Sequence, residues 1–325
     1  MGIKGYEDIN FSLWCDFVER DFLKNDFLKL IESKIINGAT SNPAIFKDAI
    51  LKSTAYKEQI ESLEGKNSKE IYESLAILDI QTSANALHEL YKSNNDGFIS
   101  IEVDPNLCHD TKATVEEGLR LHEMIAKENV MIKVPATNAG YEAITELTKR
   151  GISVNATLIF SPNQTLRCVE SFDKGIKNDK TKGVISIFVS RFDRKLDSKL
   201  PQNLKGKTGI YNASKCYNEI MNSNVKNIKP LFASTGVKGD DFKSTYYIEE
   251  LLYPNAINTA PLNTINEFAK LSNVPSREAL SSEVIEEFFN NISNCGIDMN
   301  VVYDELLHEG LIAFVDSFKE LLGSF

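Results

Sequence analysis

Cysteine and histidine, the residues that build many metal and nucleophilic sites, are scarce in this chain. The 325 residues include five cysteines and four histidines. The cysteines are odd in number and have no CxxC spacing, so they indicate neither a disulfide framework nor a zinc site. No two histidines have the helical spacing of metal ligands, which argues against a metal site or triad built on histidine. We therefore expect no metal, a reducing cytosol, and a reactive group of another residue type.

Long apolar runs and excess positive charge are also missing. No segment approaches the ~18 apolar residues that a membrane-spanning helix needs. The 46 acidic residues outnumber the 36 basic ones, and the net charge of -10 opposes binding to a nucleic-acid backbone or to anionic lipid. Neither nucleic acid nor a membrane is an expected partner. The composition is otherwise that of an ordinary soluble globular protein.

Short apolar segments of strand length alternate with longer segments of helical period, a pattern typical of βαβ units and a parallel sheet. The pattern predicts strands at residues 12–15, 35–38, 98–103, 130–134, 152–159, 183–189, 230–233 and 256–258. It predicts helices that include 68–92, 138–150 with Gly151 as a cap, and 301–322. No linker rich in proline, glycine or serine divides the chain.

This pattern favours an α/β fold of the (β/α)8 TIM barrel type. Residues 1–325 would form a single domain with extra helices, including a C-terminal helix. A doubly wound open sheet would share most of the pattern. However, the GxGxxG and GxxxxGK[ST] fingerprints of dinucleotide-binding and P-loop folds are both absent, which favours the barrel.

Polar residues occur at or just after the ends of most predicted strands, where a barrel enzyme assembles its active site. They are Asp16, Asn42, Glu102, Asp104, Lys133, Asn155, Thr157, Ser186, Arg191, Ser234 and Lys238. Taken singly, Asp16 or Glu102 is more readily interpreted as a helix cap or a loop residue. Together with a lysine at one barrel mouth, they would form a general acid/base set. Arg191 could hold a substrate phosphate or form a surface salt bridge.

Lys133 is the most informative of these residues because it lies between Ile132 and Val134 in a predicted strand. Burial lowers the pKa of a lysine, and a neutral amine is a nucleophile toward carbonyl groups, which is the basis of Schiff-base catalysis. On an exposed edge strand, an isolated lysine would more simply prevent aggregation. A closed barrel has no edge, so the fold prediction favours a catalytic role.

Two stretches of sequence are specific motifs. GATSNPAIF at 38–46 resembles the first transaldolase signature, and MIKVPAT at 131–137 resembles the second, which contains the Schiff-base lysine. The resemblance extends to LWCD at 13–16, IEVD at 101–104, NATLIF at 155–160, ISIFVSR at 185–191 and ASTGVK at 233–238. It covers most of the chain and is strongest with the bacterial branch that also occurs fused to an isomerase.

The resemblance implies a cofactor-free transferase of the pentose phosphate pathway, built on a class I aldolase-type barrel. The donor would be sedoheptulose 7-phosphate or fructose 6-phosphate, and the acceptor glyceraldehyde 3-phosphate or erythrose 4-phosphate. Lys133 would form the imine and Asp16 would be the general base. Glu102 and Thr157 would hold the water of imine formation and hydrolysis.

The resemblance also implies a set of substrate-binding residues. Asn42, Asn155 and Ser186 would bind the dihydroxyacetone hydroxyls, Phe188 would line the pocket, and Arg191 with Ser234 would bind the distal phosphate. Many family members have a second phosphate-binding arginine where this chain has Gly236. We expect Lys238 to reach the phosphate instead, as a point charge without the bidentate fork of arginine.

Two other functions are also compatible with the sequence. A fructose 6-phosphate aldolase-like lyase would share the lysine and barrel, but family resemblance gives those shorter enzymes tyrosine at the position of Phe188 and glutamine at that of Glu102. A catalytically silent barrel that only binds sugar phosphates is the alternative from another class. A homodimer is also possible, and the C-terminal segment could either supply its contact or close the barrel.

Overall fold

The computed structural model describes residues 6–272 and 274–325, in which eight parallel strands close into a barrel in chain order. The strands are β1 Ser12–Cys15, β2 Gly38–Thr40, β3 Ile99–Glu102, β4 Val130–Pro135, β5 Val154–Ile159, β6 Gly183–Phe188, β7 Ile228–Ala233 and β8 Ile257–Ala260. β8 pairs with β1, so the sheet has no edge strand. The predicted barrel is confirmed, and the open sheet is not observed.

Helices follow the strands and cover the outside of the barrel. They are α1 Arg20–Lys24, α2 Asp26–Glu32, α3 Pro43–Lys52, α4 Lys57–Ser62, α5 Ser68–Lys92, α6 Thr111–Ile125, α7 Asn138–Lys149, α8 Pro162–Gly175, α9 Ser190–Leu196, α10 Thr208–Asn222, α11 Tyr246–Glu250, α12 Leu262–Lys270, α13 Ser282–Asn294 and α14 Met299–Leu322. The prediction for α5 is confirmed, and Asn67 and Glu70 form a capping box at its start. Gly151 follows α7 with a left-handed φ of +83°, as its predicted capping role requires. None of the helices described is long and apolar enough to cross a membrane.

The predicted bounds of the second strand, residues 35–38, are wrong: β2 is Gly38–Thr40, which starts three residues later and ends two residues later. The backbone N–H groups of Ile35 and Ile36 donate to the carbonyl of Leu30, so this apolar pair completes the turn after α2. Gly38 lies where β2 passes β1, and a Cβ there would overlap the Trp14 indole nitrogen. Glycine at position 38 therefore lets β2 pass close to the Trp14 ring, and apolar character alone does not locate the strand.

A bulge in β5 changes which side chains face the barrel interior. The register with β6 shifts between Ala156 and Ile159, and Leu158 has a left-handed φ of 58°. As a result, Leu158 and Phe160 pack with the interior residues, whereas Ile159 packs with the outer core under the helices. Bulges of this kind re-aim side chains beside active sites.

The helix α14 lies over the carboxyl-terminal mouth of the barrel. Its Phe318 ring packs edge-on against Tyr72 of α5, with ring centroids 5.4 Å apart. Lys47 of α3 forms an ion pair with Glu320, and Lys195 of α9 forms ion pairs with α14 as well. Because exposed pairs contribute little, buried packing holds the helix in place. Of the two roles left open for this segment, closure of the barrel is observed.

Candidate active site

A cavity of about 210 Å³ lies between the carboxyl ends of the strands and α14. The residues predicted from the sequence that line it are Asp16, Asn42, Lys133, Thr157, Ser186, Phe188, Arg191 and Ser234. Glu102 and Asn155 lie directly behind these residues, in contact with Lys133 and Ser186 respectively. Three residues of α14, Ala313, Phe314 and Ser317, complete the wall. Sequence reasoning missed them because nothing local marks a helix that folds back over a mouth.

Lys133 occupies the floor of this cavity with a side chain that is almost completely buried. Its residue exposure is 5%, and its Nζ donates a hydrogen bond of 2.9 Å to the backbone carbonyl of Ser41. The same Nζ lies 3.4 Å from Oε2 of Glu102 and 5.9 Å from the centre of the Phe314 ring. A buried amine with few protein partners and a carboxylate beside it is arranged for reaction with a carbonyl carbon.

Glu102 is the buried carboxyl group next to Lys133 on the neighbouring strand. Burial raises its pKa to about 7, the nearby charge of Lys133 opposes the increase, and Asp16 adds to it. Apart from the Lys133 Nζ at 3.4 Å, the Glu102 carboxylate oxygens have no polar partner among the described residues, and the buried Oγ1 of Thr157 has none there. Such groups are suited to hold a water molecule or a substrate oxygen. A carboxyl group with a pKa near 7 can both donate and accept a proton at neutral pH.

Asp16 follows β1, two strands away from the β3 strand of Glu102 in the barrel order, and lines the cavity. Its Oδ1 accepts a hydrogen bond of 2.7 Å from the hydroxyl of Thr40, which is also 2.7 Å from the hydroxyl of Thr259. Burial raises the pKa of Asp16, whereas Lys133 and Thr40 lower it. Thr40 therefore orients this carboxylate, a role that was missed although the residue lies within the GATSNPAIF stretch.

A chain of hydrogen bonds crosses the barrel beneath Lys133. Ser186 donates to Oδ1 of Asn155 at 2.6 Å, and Nδ2 of Asn155 donates to the hydroxyl of Ser100 at 3.0 Å. These bonds determine the orientation of the Asn155 amide. Asn42 caps α3, accepting from the N–H of Ile45 at 3.0 Å through Oδ1, which leaves its amide N–H groups available to a ligand.

Arg191 supplies a cation at the far end of the cavity. Its guanidinium lies 4.9 Å from the centre of the Phe188 ring and 5.9 Å from that of Phe160. Burial lowers its pKa to about 10, Arg194 lowers it further, and Glu309 opposes the change. No ion pair with a carboxylate holds Arg191 among the residues described in the structure. A guanidinium without a carboxylate partner is suited to bind a phosphate.

Ser234 lies beside Arg191 and has a left-handed φ of 56°. Its Oγ is 3.1 Å from that of Ser190, and its carbonyl accepts from the N–H of Ser190. Lys238, by contrast, is exposed on the loop after β7 and does not line the cavity. The structure does not bring it to the phosphate end, and its predicted role stays a prediction.

Comparison with known proteins identifies relatives over nearly the whole chain. The family model described as Transaldolase/Fructose-6-phosphate aldolase matches residues 13–325. A protein of Helicobacter pylori (strain Shi470) named "Transaldolase" is 48% identical over 316 residues, covering 97% of this chain and 99% of that protein. A protein of the same name from Campylobacter jejuni (strain 81-176) is 49% identical over 326 residues, covering 96% and 98%.

Solved structures give a much weaker likeness. A fructose-bisphosphate aldolase from Campylobacter jejuni has a TM-score of 0.45 and 11% sequence identity to this chain. The alignment covers 98% of this chain and 92% of that one. The barrel is established by the closed strand order itself.

Proposed function

The chain belongs to the transaldolase/fructose-6-phosphate aldolase family, and from this premise we propose that it transfers a dihydroxyacetone unit between sugar phosphates through an imine on Lys133. The donor is sedoheptulose 7-phosphate or fructose 6-phosphate, and the acceptor is glyceraldehyde 3-phosphate or erythrose 4-phosphate. The observation that carries the proposal is the buried Nζ of Lys133, 3.4 Å from the Glu102 carboxylate within a closed mouth.

Imine formation is the first step. The unprotonated Nζ of Lys133 adds to C2 of the ketose, and the resulting carbinolamine loses its hydroxyl group as water. Glu102, with a pKa of about 7, gives a proton to the departing hydroxyl and later accepts one from the water that hydrolyses the imine. Thr157 positions this water through its otherwise unpaired hydroxyl.

Carbon–carbon cleavage follows. Asp16 removes the proton from the C4 hydroxyl, C4 becomes the aldehyde carbon of the departing aldose, and the C3–C4 electron pair moves into the protonated imine to give an enamine. The enamine attacks the aldehyde of the second aldose, and Asp16 returns its proton to the new alkoxide. Lys133 thus provides the electron sink, and ping-pong kinetics follow.

Substrate contacts in this proposal come from three groups. The amides of Asn42 and Asn155 and the hydroxyl of Ser186 bind the dihydroxyacetone part. Arg191 and Ser234 bind the phosphate at the far end. Phe188 packs under the Arg191 guanidinium at 4.9 Å and keeps it extended toward the mouth.

The lyase alternative shares this lysine but releases free dihydroxyacetone. Retention of Phe188 and Glu102 favours transfer, and the cover provided by α14 limits the access of bulk water to the enamine. The silent-barrel alternative is opposed by Asp16, Glu102 and Lys133 occurring together at one mouth.

We also propose the pathway, the cellular location and the assembly of the enzyme. The chain acts in the pentose phosphate pathway as one domain, residues 1–325, without a cofactor. A cytosolic location is supported by five free cysteines, four of them buried. A homodimer remains part of the proposal as a possible assembly.

Borohydride trapping tests the chemistry. Reduction in the presence of fructose 6-phosphate, followed by peptide mapping, should place a stable adduct on Lys133. An adduct on a different lysine, or full transfer activity in Lys133→Ala, would overturn the proposal. Omitting the acceptor separates the activities: release of dihydroxyacetone at the rate of transfer would favour the lyase.

A further inference from the structure

A second, larger cavity opens at the opposite, amino-terminal end of the barrel. It has a volume of about 660 Å³, within the range of small-molecule sites. Alternate residues of the same strands line the two ends: Trp14 and Asp16, Met131 and Lys133, Ile257 and Thr259. The two cavities have no lining residue in common. A ligand bound at the lower end would therefore not touch Lys133.

The floor of this lower cavity is apolar and rigid. It consists of Trp14, Met131, Val184 and Ile257, each at most 2% exposed, with the Phe98 ring beside them. Trp14 is held by a hydrogen bond of 3.1 Å from Nε1 to Asp96. Because these side chains are almost inaccessible, the aromatic surface open to a ligand is the half-buried Tyr91 ring in the cavity wall, 5.2 Å from the Phe98 ring. An aromatic wall of this kind suits a planar ring system.

The rim of the lower cavity carries a cation that no carboxylate neutralises at close range. Lys182 donates to the amide oxygen of Asn227 at 2.8 Å and has no ion pair within the described part of the chain. Burial lowers the pKa of Lys182, Asp179 opposes this, and Lys229 lowers it further. The nearby carboxylate of Asp96 instead forms an ion pair of 2.9 Å with Lys229 and accepts the Trp14 hydrogen bond.

We propose that the lower cavity is a binding site for a small organic anion with a flat apolar body. The ring would lie against Tyr91, above the floor that contains Trp14, and its carboxylate, sulfonate or phosphate group would pair with Lys182. The net charge of -10 disfavours anions elsewhere on the surface, so this local cation gives the site its selectivity. The site is separate from the one assigned to sugar phosphates and does not depend on that assignment.

The single tryptophan of the chain is Trp14, at the base of this cavity, so its fluorescence reports on a probe bound here, and competition with fructose 6-phosphate separates this signal from binding at the mouth. Titration with anilinonaphthalene sulfonate, a planar aromatic anion, should give saturable quenching of Trp14 with one probe per chain. Lys182→Met should weaken binding about tenfold or more, since tenfold is the lower limit for one hydrogen bond to a charged group. Val184→Phe should abolish binding by filling the floor. Lys226→Met, an exposed lysine outside the cavity, should bind as the unaltered protein does.

Two measurements separate the lower cavity from the catalytic mouth. Quenching should persist in saturating fructose 6-phosphate, and Lys182→Met should keep its transfer rate. Displacement of the probe by fructose 6-phosphate, equal affinity in Lys182→Met and Lys226→Met, or no saturable quenching would each overturn the proposal. Should Val184→Phe fail to fold, the lysine pair decides the outcome.

Discussion

Gly310 of α14 provides the sharpest test of how the phosphate-binding arginine is held. A Cβ at this position would lie 3.2 Å from Nη1 of Arg191 and 3.0 Å from Cδ2 of Leu158, the residue that the β5 bulge turns inward. Both distances are tighter than ordinary van der Waals contact. Gly310→Ala must therefore displace the guanidinium by a few tenths of an ångström, because the end of the arginine side chain moves more easily than the packed leucine.

The expected effects on stability and on binding differ in size. Replacing glycine in a helix interior gains about 1 kcal/mol and overpacking costs about 1–3 kcal/mol, so the free energy of unfolding should fall by no more than about 2 kcal/mol. Removing a charge-assisted hydrogen bond costs about 1.5–3 kcal/mol. Displacing Arg191 should lose part of this, about 1 kcal/mol, which is a five- to tenfold decrease in kcat/KM for fructose 6-phosphate.

The assay compares phosphorylated with unphosphorylated donor. With Gly310→Ala, kcat/KM should decrease for fructose 6-phosphate and stay unchanged for fructose, which has no phosphate for Arg191 to bind. Gly118→Ala on α6 is the matched control, since its Cβ would crowd Leu147 at 3.0 Å but lies away from Arg191. Equal losses for both donors, or the same loss in Gly118→Ala, would refute the reasoning.

Three further predictions concern other groups of the structure. Imine formation should slow as the pH rises through about 7, because Glu102 loses its proton near that pH and can no longer donate it. In Glu102→Gln, the rate of imine formation measured by stopped-flow trapping should not change around pH 7 and should be about 10²–10⁴ lower. Phe314→Ala removes the ring that covers Lys133, so water should reach the enamine more easily. The rate at which dihydroxyacetone is released without an acceptor, measured with a coupled enzyme, should increase. An unchanged rate would mean that α14 does not exclude water. Arg20 forms a buried ion pair of 3.0 Å with Asp79, and Asp79→Ala leaves its guanidinium buried without that partner. The free energy of unfolding, measured in urea, should fall by about 3–5 kcal/mol. A decrease of less than about 1 kcal/mol would contradict this prediction.

Much of the candidate site could be predicted because a barrel gathers the ends of its strands at one mouth. Once the alternation of strands and helices indicated that fold, Asp16, Lys133 and Thr157 had to meet, although more than a hundred residues separate the first two. The exception is Lys238, which follows its strand by five residues and is exposed, since a loop of that length can turn its side chain away from the mouth.

The sequence by itself determined the order of strands and helices, the apolar faces they bury, and the identity of the buried lysine, because each depends on local periodicity or on a short motif. Only the tertiary structure decided where β2 starts, which way Leu158 points, and that Phe314 covers Lys133. These features depend on contacts between residues far apart in the chain, such as Gly38 with Trp14 or Gly310 with Arg191, and close packing rather than local pattern selects them.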